Sequence, residues 1–362
     1  MTRFEHGLFI GKFYPPRSGH HAAIRTAAAQ CRRFSVVVMA AAPETIELAE
    51  RVGWLRAEHA DTPNVTVTGI RCDAPMDITD QQVWAAQVAV MRAAITPGFP
   101  PVDAVFCGDD YGDELARWFG ATAVRLDRDG ASTAVRRDLA GRWHELAPAT
   151  RAGLTTRVVV VGAESTGTTT IATLLAQHYA DRSGNWADTK WVPEYGREHT
   201  ELKCRQGSKQ VGELIWDQTD FDTVATEQTR REEWAARNGS PLLVCDTDAF
   251  ATTLWERRYL GGAARTGQPW AVLPHRAAYL ITDHVGVPWH DDGMREGDLA
   301  VRAAMTSWFI DALTAADQSW VLLTGSLDQR LQVAIRTVDQ LLTTRMRFGE
   351  PLHGPGFEAP DG

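Results

Sequence analysis

The segment that decides the fold class is Val158-Val159-Val160-Val161-Gly162-Ala163-Glu164-Ser165-Thr166-Gly167-Thr168-Thr169. Four consecutive valines are typical of a strand that is buried on both faces, as in a parallel sheet. The glycine- and hydroxyl-rich stretch predicts a loop, and the pattern after it predicts a helix from about Thr169 to Asp181. Strand, loop and helix in this order predict an α/β domain.

The loop after the valines has the spacing of a P-loop. Such a loop wraps a nucleotide β-phosphate with backbone N–H groups, and its last hydroxyl binds Mg²⁺. The lysine of the motif is missing, because Thr168 occupies its place. We expect an ATP site that consists of Gly162, Glu164, Ser165, Thr166, Gly167, Thr168, Thr169 and Thr170.

The same alternation of strands and helices occupies the N-terminal part of the chain. An apolar run ends at Gly11, and further strands are predicted over 34–40, 65–70, 104–107 and 121–126. Helices are predicted near 21–32, 46–59, 80–94 and 112–119. Later strands, over 242–245, 278–281 and 320–323, follow the valine run. The pattern implies a doubly wound sheet in each half.

The length of 362 residues exceeds what one ordinary core supports. We therefore predict one domain over 1–150 and a second over 151–348. Residues 349–362 are rich in proline and glycine and are predicted to form a loose tail.

A candidate ligand loop follows the first strand, with the sequence Gly11-Lys12-Phe13-Tyr14-Pro15-Pro16-Arg17-Ser18-Gly19-His20-His21. In an open parallel sheet, ligands bind at the carboxyl ends of the strands. Gly19 allows a phosphate to approach the backbone, and the start of a helix offers free N–H groups. Lys12 and His20 can add positive charge toward a triphosphate.

This loop resembles the HxGH motif of nucleotidyltransferases, with the Gly-Lys-Phe-Tyr-Pro-Pro lead-in that is typical of the NadR family. Arg17 stands where the family has its first histidine, and His20 matches the second. Arginine can hold a phosphate through two hydrogen bonds, but it is longer and is always charged. We therefore expect arginine at position 17 to affect the catalytic rate more than nucleotide binding.

Two further segments of this half resemble the same family. Residues 132–136, Ser-Thr-Ala-Val-Arg, are similar to its ISxTxxR signature, although Gly130 and Ala131 stand where isoleucine and serine are usual. Residues 105–114 are similar to the segment near the pyridine nucleotide, which suggests Tyr111 as a substrate ligand. The resemblance implies a Rossmann-like nucleotidyltransferase domain with Lys12, Arg17, His20 and Arg136 as catalytic residues and Gly11, Phe13, Gly19, Ser132 and Thr133 as ATP ligands.

Four segments of the second half resemble the kinase domain of the NadR family: 194–198, 246–248, 287–295, and 324–326 with Arg330. The resemblance implies a P-loop kinase domain in which Asp188 or Glu194 orients or deprotonates the substrate hydroxyl, a choice that the sequence leaves open. Arg295 is the expected lid cation, and it or another cation could replace the P-loop lysine. The implied substrate ligands are Tyr195, Arg197, Asp246, Asp248, Trp289 and Asp292, with Thr169 and Asp246 holding Mg²⁺.

For the whole chain, the resemblance implies Mg²⁺- and ATP-dependent conversion of nicotinamide riboside to NMN, then of NMN to NAD. Two alternatives stay open. One is a riboside kinase whose N-terminal domain binds nucleotide but catalyses weakly, as Arg17 and Ala131 suggest. The other is a nucleotide-sensing protein in which both sites have decayed, as Thr168 suggests.

The net charge, the cysteine positions and the apolar runs of the chain argue against several other classes of protein. A net charge of -9 argues against broad nucleic-acid binding, and the scattered positions of five cysteines indicate neither a disulfide framework nor a zinc site. No signal peptide and no membrane-length apolar run is evident, and the ligand loop begins too early for an N-terminal helix-turn-helix. We expect a cytoplasmic protein whose partners are small nucleotides; its oligomeric state, homo-oligomer included, is left open.

Overall fold

The structure is a computed structural model that describes residues 3–74, 77, 79–127, 132–208, 210–272, 274–289 and 299–351. Contacts divide the chain into two compact units. The first comprises residues 1–153 and 347–362, and the second comprises residues 154–346. The predicted division at 150/151 lies three residues before the observed one, and the segment after residue 346 groups with the first unit.

The first unit contains one five-stranded parallel sheet of order β3-β2-β1-β4-β5. Its strands are β1 (Phe4–Gly11), β2 (Cys31–Ala40), β3 (Val65–Arg71), β4 (Ala104–Cys107) and β5 (Thr122–Arg125). Its helices are α1 (Ser18–Ala28), α2 (Leu48–Glu58), α3 (Gln81–Ala94), α4 (Gly112–Phe119), α5 (Ser132–Arg137) and α6 (Pro148–Leu154).

Alternating side chains of the central strands fill two cores, one on each face of this sheet. Val36 and Val38 of β2 pack with Ile24 of α1 on one face. Val37 packs with Trp84 of α3 on the other. Helices cover both faces, which explains why these strands read as continuous apolar runs.

The second unit contains a five-stranded parallel sheet of order β10-β9-β6-β8-β7. Its strands are β6 (Thr156–Gly162), β7 (Lys190–Val192), β8 (Leu242–Asp246), β9 (Ala278–Thr282) and β10 (Trp320–Leu323). Its helices are α7 (Thr168–Ala180), α8 (Tyr195–Gly207), α9 (Gln218–Asn238), α10 (Ala249–Leu260), α11 (Pro269–Val272), α12 (Leu299–Ala315) and α13 (Leu327–Arg345).

The valine strand β6 lies at the centre of this sheet, and each valine from Val158 to Val161 is 2% exposed or less. Val160 pairs with Asp246 of β8, and Gly162 pairs with Thr282 of β9. The loops after these three strands therefore meet at one edge of the sheet. The predicted fold class, two parallel-sheet α/β domains, is confirmed.

The C-terminal segment contacts the first unit where it is described. The Tyr14 hydroxyl donates to the Gly349 carbonyl at 3.0 Å, and the Tyr14 and Phe348 rings lie 5.6 Å apart. Residues 352–362 of the predicted tail lie outside the described residues. Over the described ranges, the helices include none with the length and apolar character needed to cross a membrane.

Candidate functional site

In the second unit, the candidate site starts at the loop between β6 and α7. A Cβ atom on Gly162 would lie 2.2 Å from Thr282 Oγ1 and 2.6 Å from Thr166 Oγ1, so only glycine fits where the strand ends. Gly167 caps α7 with a φ of +89°, a left-handed conformation that favours glycine. The local geometry leaves the N-terminus of a thirteen-residue helix directed at the sheet edge, where an anion is stabilised.

A hydroxyl and a carboxylate meet beside this loop. Thr169 Oγ1 donates to Asp246 Oδ2 at 2.5 Å, and Asp246 is 3% exposed. Burial raises the pKa of Asp246 to about 6, and the charge of Glu194 adds to the rise. A bound cation would favour the charged carboxylate, and hydroxyl with carboxylate oxygen is a donor set that suits Mg²⁺. The residues present thus fit the expected ion.

Protein side chains alone would not complete such a site. Across the described ranges, no group of three or more His, Cys, Asp or Glu side chains is placed to hold a metal ion. Mg²⁺ is commonly held by one or two protein oxygens together with nucleotide phosphates and water. A Mg²⁺ ion bound by Thr169 and Asp246 would therefore need further oxygen ligands from a nucleotide or from water.

The structure distinguishes the two carboxylates that the sequence leaves open. Asp188 precedes strand β7, and Glu194 follows it. Because β7 runs parallel to β8, these residues lie at opposite edges of the sheet. Asp188 is 70% exposed at the edge away from the P-loop, whereas Glu194 lies at the P-loop edge with Arg197 Nε 3.4 Å from its Oε2. Asp188 therefore lies at the surface, away from the P-loop, which does not fit its predicted role at the substrate hydroxyl.

Asp248 also does not face the site. It is 0% exposed, and its Oδ2 accepts hydrogen bonds from Arg276 Nε at 3.0 Å and the Tyr279 hydroxyl at 2.7 Å. Its Oδ1 accepts from the Ala251 N–H at the start of α10. The expectation of a substrate ligand is corrected, because this carboxylate is used within the core of the unit.

An aromatic group surrounds His199, and of its rings the sequence analysis named Tyr195 but missed Trp216 and Tyr259. The Trp216 ring lies 5.9 Å from His199 and 5.5 Å from Tyr259, and Tyr195 lies 6.0 Å from His199. Asp220 Oδ1 lies 3.0 Å from His199 Nε2. Two of these rings already contact protein cations, Trp216 with Lys203 Nζ at 5.0 Å and Tyr195 with the Arg231 guanidinium at 4.5 Å, which shows that the group accommodates positive charge. Because these aromatic residues are spread over α8, α10 and the segment before α9, no local spacing reveals them.

In the first unit, the loop after β1 brings together the predicted phosphate ligands. Arg17 is 4% exposed, and its Nε donates to Ser132 Oγ at 3.1 Å. His20 Nδ1 accepts from the Arg17 N–H at 3.2 Å, which leaves Nε2 to carry the proton of the neutral ring. Ser132 and Arg17 are 115 residues apart. The fold thus joins the two segments that carry the resemblance.

Arg136 is fixed beside the same loop. Its Nη1 donates to the Tyr14 carbonyl at 3.0 Å and its Nη2 to Thr133 Oγ1 at 3.2 Å. Burial lowers the pKa of Arg136, while Glu350 opposes the shift. The Phe13 ring is buried against His20 at 5.1 Å, so Phe13 can contact a ligand through its backbone only.

Lys12 is held by a buried carboxylate that the sequence did not reveal. Its Nζ lies 3.3 Å from Glu44 Oε1, and the other oxygen of Glu44 pairs with Arg51 at 2.5 Å. Burial lowers the pKa of Lys12, and Glu44 opposes the shift. A pocket of about 90 Å³ adjoins Lys12, and Cys72, Trp84, Gln87 and Tyr111 line it. Positions 84, 87 and 91 recur at helical spacing on α3, a signal that the sequence carried.

Comparisons with known proteins find similarity to nucleotide-binding proteins of the same two-unit fold. A family model described as an AAA domain matches residues 157–330. The trifunctional NAD biosynthesis/regulator protein NadR of Salmonella typhimurium is 20% identical over 326 residues, covering 85% of this chain and 76% of that protein. Two crystal structures of NadR protein, one with NR and one with NAD and AMP-PNP, match over 94% of the chain at 18% identity. The matched regions cover 96% and 97% of these NadR chains, and the TM-scores are 0.62 and 0.60.

The chain is thus similar to NadR proteins over most of its length. At these identities, the structural matches establish the shared fold and leave the NadR activities to be tested here. Trp289 follows β9 at the carboxyl edge of the second sheet and is partly buried, while Asp292 and Arg295 lie outside the described residues. Of the remaining NadR-type positions, the P-loop residues 162–170, Tyr195, Arg197 and Asp246 are brought to the same edge as Glu194.

Proposed function

We propose that this chain is a NadR-type protein, a bifunctional, ATP-dependent enzyme of NAD synthesis. The second unit would phosphorylate nicotinamide riboside to NMN, and the first would transfer the adenylyl group of ATP to NMN, giving NAD and pyrophosphate. The observation that carries the proposal is the convergence of the P-loop, Thr169, Asp246 and Glu194 at one sheet edge.

In the kinase reaction, the 5′-hydroxyl oxygen of the riboside attacks the γ-phosphorus of ATP, and ADP leaves. Glu194 would accept the hydroxyl proton, since it lies at the reactive edge and close enough to Asp246 to raise the pKa of that group. The backbone N–H groups at the start of α7 would bind the phosphates. Trp216, Tyr195 and His199 would hold the pyridinium ring.

Thr169 and Asp246 would hold Mg²⁺ together with the nucleotide phosphates. When bound, Mg²⁺ neutralises negative charge on the phosphates. Arg197 lies at the same edge and would face the bound nucleotide or riboside from the side of Glu194.

In the adenylyl transfer, a phosphate oxygen of NMN attacks the α-phosphorus of ATP, and pyrophosphate leaves. The reaction needs no covalent intermediate with the protein, so positioning and charge stabilisation carry the rate. Lys12, Arg17 and Arg136 would supply that positive charge, and His20 would donate a hydrogen bond from Nε2. Trp84 and Tyr111, whose rings lie 6.3 Å apart in the pocket beside Lys12, would contact the pyridine.

A chromatographic time course with Mg-ATP tests both halves, with nicotinamide riboside and NMN supplied in separate reactions. We expect NMN from the riboside and NAD from NMN. The absence of both products would reject the proposal, and tight ATP binding without turnover would then favour a nucleotide-sensing protein.

A second candidate is a riboside kinase whose first unit binds nucleotide but catalyses weakly. The geometry at Arg17 favours it, because the guanidinium that replaces histidine is tied to Ser132 and buried. Arg17→His tests this candidate. A gain in NAD formation of about tenfold or more would identify Arg17 as the weakening residue, since a neutral imidazole restores a hydrogen-bond donor of the family's type.

A further inference from the structure

The P-loop of the second unit has no cation of its own. Thr168 stands where the motif carries lysine, although phosphoryl transfer develops negative charge on the transferred group. Catalysis by charge stabilisation then requires positive charge from another element. Three described arginines of this unit lie at the loop edge: Arg197, Arg302 and Arg330.

Arg302, on α12, contacts the middle of the loop. Its Nε donates to the Glu164 carbonyl at 2.9 Å, and its Nη2 donates to the carbonyls of Ser165 and Val287, each at 3.0 Å. The residue is 7% exposed, and burial lowers the pKa of its guanidinium. Within the described ranges it forms no salt bridge, and its Nη1 has no hydrogen-bond partner. Its hydrogen-bond partners are neutral carbonyls, while the nearby Glu164 charge opposes the fall in its pKa; an arriving anion would stabilise this buried charge further.

The other two arginines, Arg197 and Arg330, already contact other groups of the protein. Arg330 donates from Nε to the Gly325 carbonyl, from Nη1 to the carbonyls of Thr166 and Asp283, and from Nη2 to that of Val285. Arg197 lies beside Glu194, and its side chain is 43% exposed. Arg302 therefore combines contact with the loop, burial and an unused donor nitrogen.

We propose that Arg302 supplies the positive charge that Thr168 does not, and that its Nη1 contacts the terminal phosphate of bound ATP. The inference rests on the proposed kinase function and adds a catalytic residue to it. The bonds to Glu164 and Ser165 fix the guanidinium against the loop, so that the charge is in place before the phosphoryl group moves.

The test compares Arg302→Met with Arg302→Met/Thr168→Lys in full-length protein. We expect the single variant to lower kcat for riboside phosphorylation about 100-fold or more. Its affinity for ATP should fall about tenfold, while its affinity for ADP, which lacks the terminal phosphate, should change less than about threefold. Lysine at position 168 should restore at least about tenfold in kcat. Arg336→Met, on the exposed face of α13, is the matched control.

Equal losses of ATP and ADP affinity, without rescue by lysine, would overturn the inference and assign Arg302 a purely structural role. The binding comparison also separates this inference from the kinase proposal. If the wild-type protein fails to phosphorylate the riboside, an unchanged preference for ATP over ADP in the variant still rejects Arg302. If Arg302→Met does not fold, Arg302→Lys is measured instead, and an unreduced kcat in that variant rejects the contact through Nη1.

Discussion

At the scale of single residues, the second unit separates two carboxylates that the chain places six positions apart. Glu194 follows β7 and lies near Asp246, whereas Asp188 precedes β7 and is exposed. A side chain at the far edge of the sheet cannot reach a phosphate bound at the P-loop. The proposed base is therefore Glu194.

We predict that Glu194→Gln lowers kcat for riboside phosphorylation about 100-fold or more, because the amide cannot accept the hydroxyl proton. Asp188→Asn is the matched control and should leave kcat within about twofold. Steady-state kinetics at saturating ATP measures both. A large loss in Asp188→Asn with little change in Glu194→Gln would reverse the assignment.

Asp248 is predicted to act on stability and not on substrate binding. Asp248→Ala leaves Arg276 buried with one partner fewer, because Glu232 alone then pairs with its guanidinium, at 2.9 Å. Breaking a buried ion pair from one side costs about 3–5 kcal/mol. Urea denaturation should show this loss. A variant of unchanged stability with a raised KM for the riboside would restore Asp248 to the substrate site.

At the scale of elements, α1 and the C-terminus of α2 meet through two buried histidines. His21 Nδ1 lies 3.0 Å from His59 Nε2, and the two residues are 1% and 4% exposed. Burial lowers the pKa of His21 to about 3, and the charges of His59 and Arg25 add to the shift. Burial also lowers the pKa of His59. The contact is thus stable with both rings neutral.

This contact predicts that α1 loses stability as the pH falls. The pKa of His21 is 6.5 in the unfolded chain and about 3 in the folded chain. Its full contribution to the free energy of unfolding is therefore present above pH 6.5. Its contribution declines as the pH drops, by about 2 kcal/mol at pH 5 for His21 alone. Hydrogen exchange of the α1 amides, corrected for intrinsic rates, measures the change.

The pH dependence of α1 should disappear in His21→Asn/His59→Gln and persist in His144→Gln, which replaces an exposed histidine of the same unit. Equal α1 protection at pH 5 and pH 8 in the wild-type protein would show that the buried pair does not set the stability of this contact.

At the scale of the whole molecule, each unit carries its own sheet and its own candidate site. We predict that the two activities are separable by mutation. Arg136→Met should lower NAD formation from NMN about 100-fold or more through loss of a phosphate-binding charge, while NMN formation from the riboside continues. Arg137→Met, the exposed neighbour on α5, is the control.

Mixing Arg136→Met with Glu194→Gln should restore NAD synthesis from riboside and ATP, because NMN released by one protein can serve the other. A time course of the mixture against each variant alone measures this. Loss of both activities in Arg136→Met would contradict separable sites.

The sequence by itself determined the two parallel-sheet units and the loops at which ligands are expected. Apolar periodicity, glycine positions and the order of strand, loop and helix act over a few residues, so they can be read along the chain. Gly162 and Gly167 of the second unit and Gly19 of the first lie at the ends of strands and the starts of helices, as predicted.

Only the tertiary structure decided which charged groups face those loops. Four placements follow from packing: Glu194 instead of Asp188 at the P-loop edge, the burial of Asp248, the pairing of Lys12 with Glu44, and the contact of Arg302 with the P-loop. Arg302 and Glu164 are 138 residues apart. Such contacts depend on how helices dock on a sheet edge, and no short-range pattern in the sequence encodes that docking.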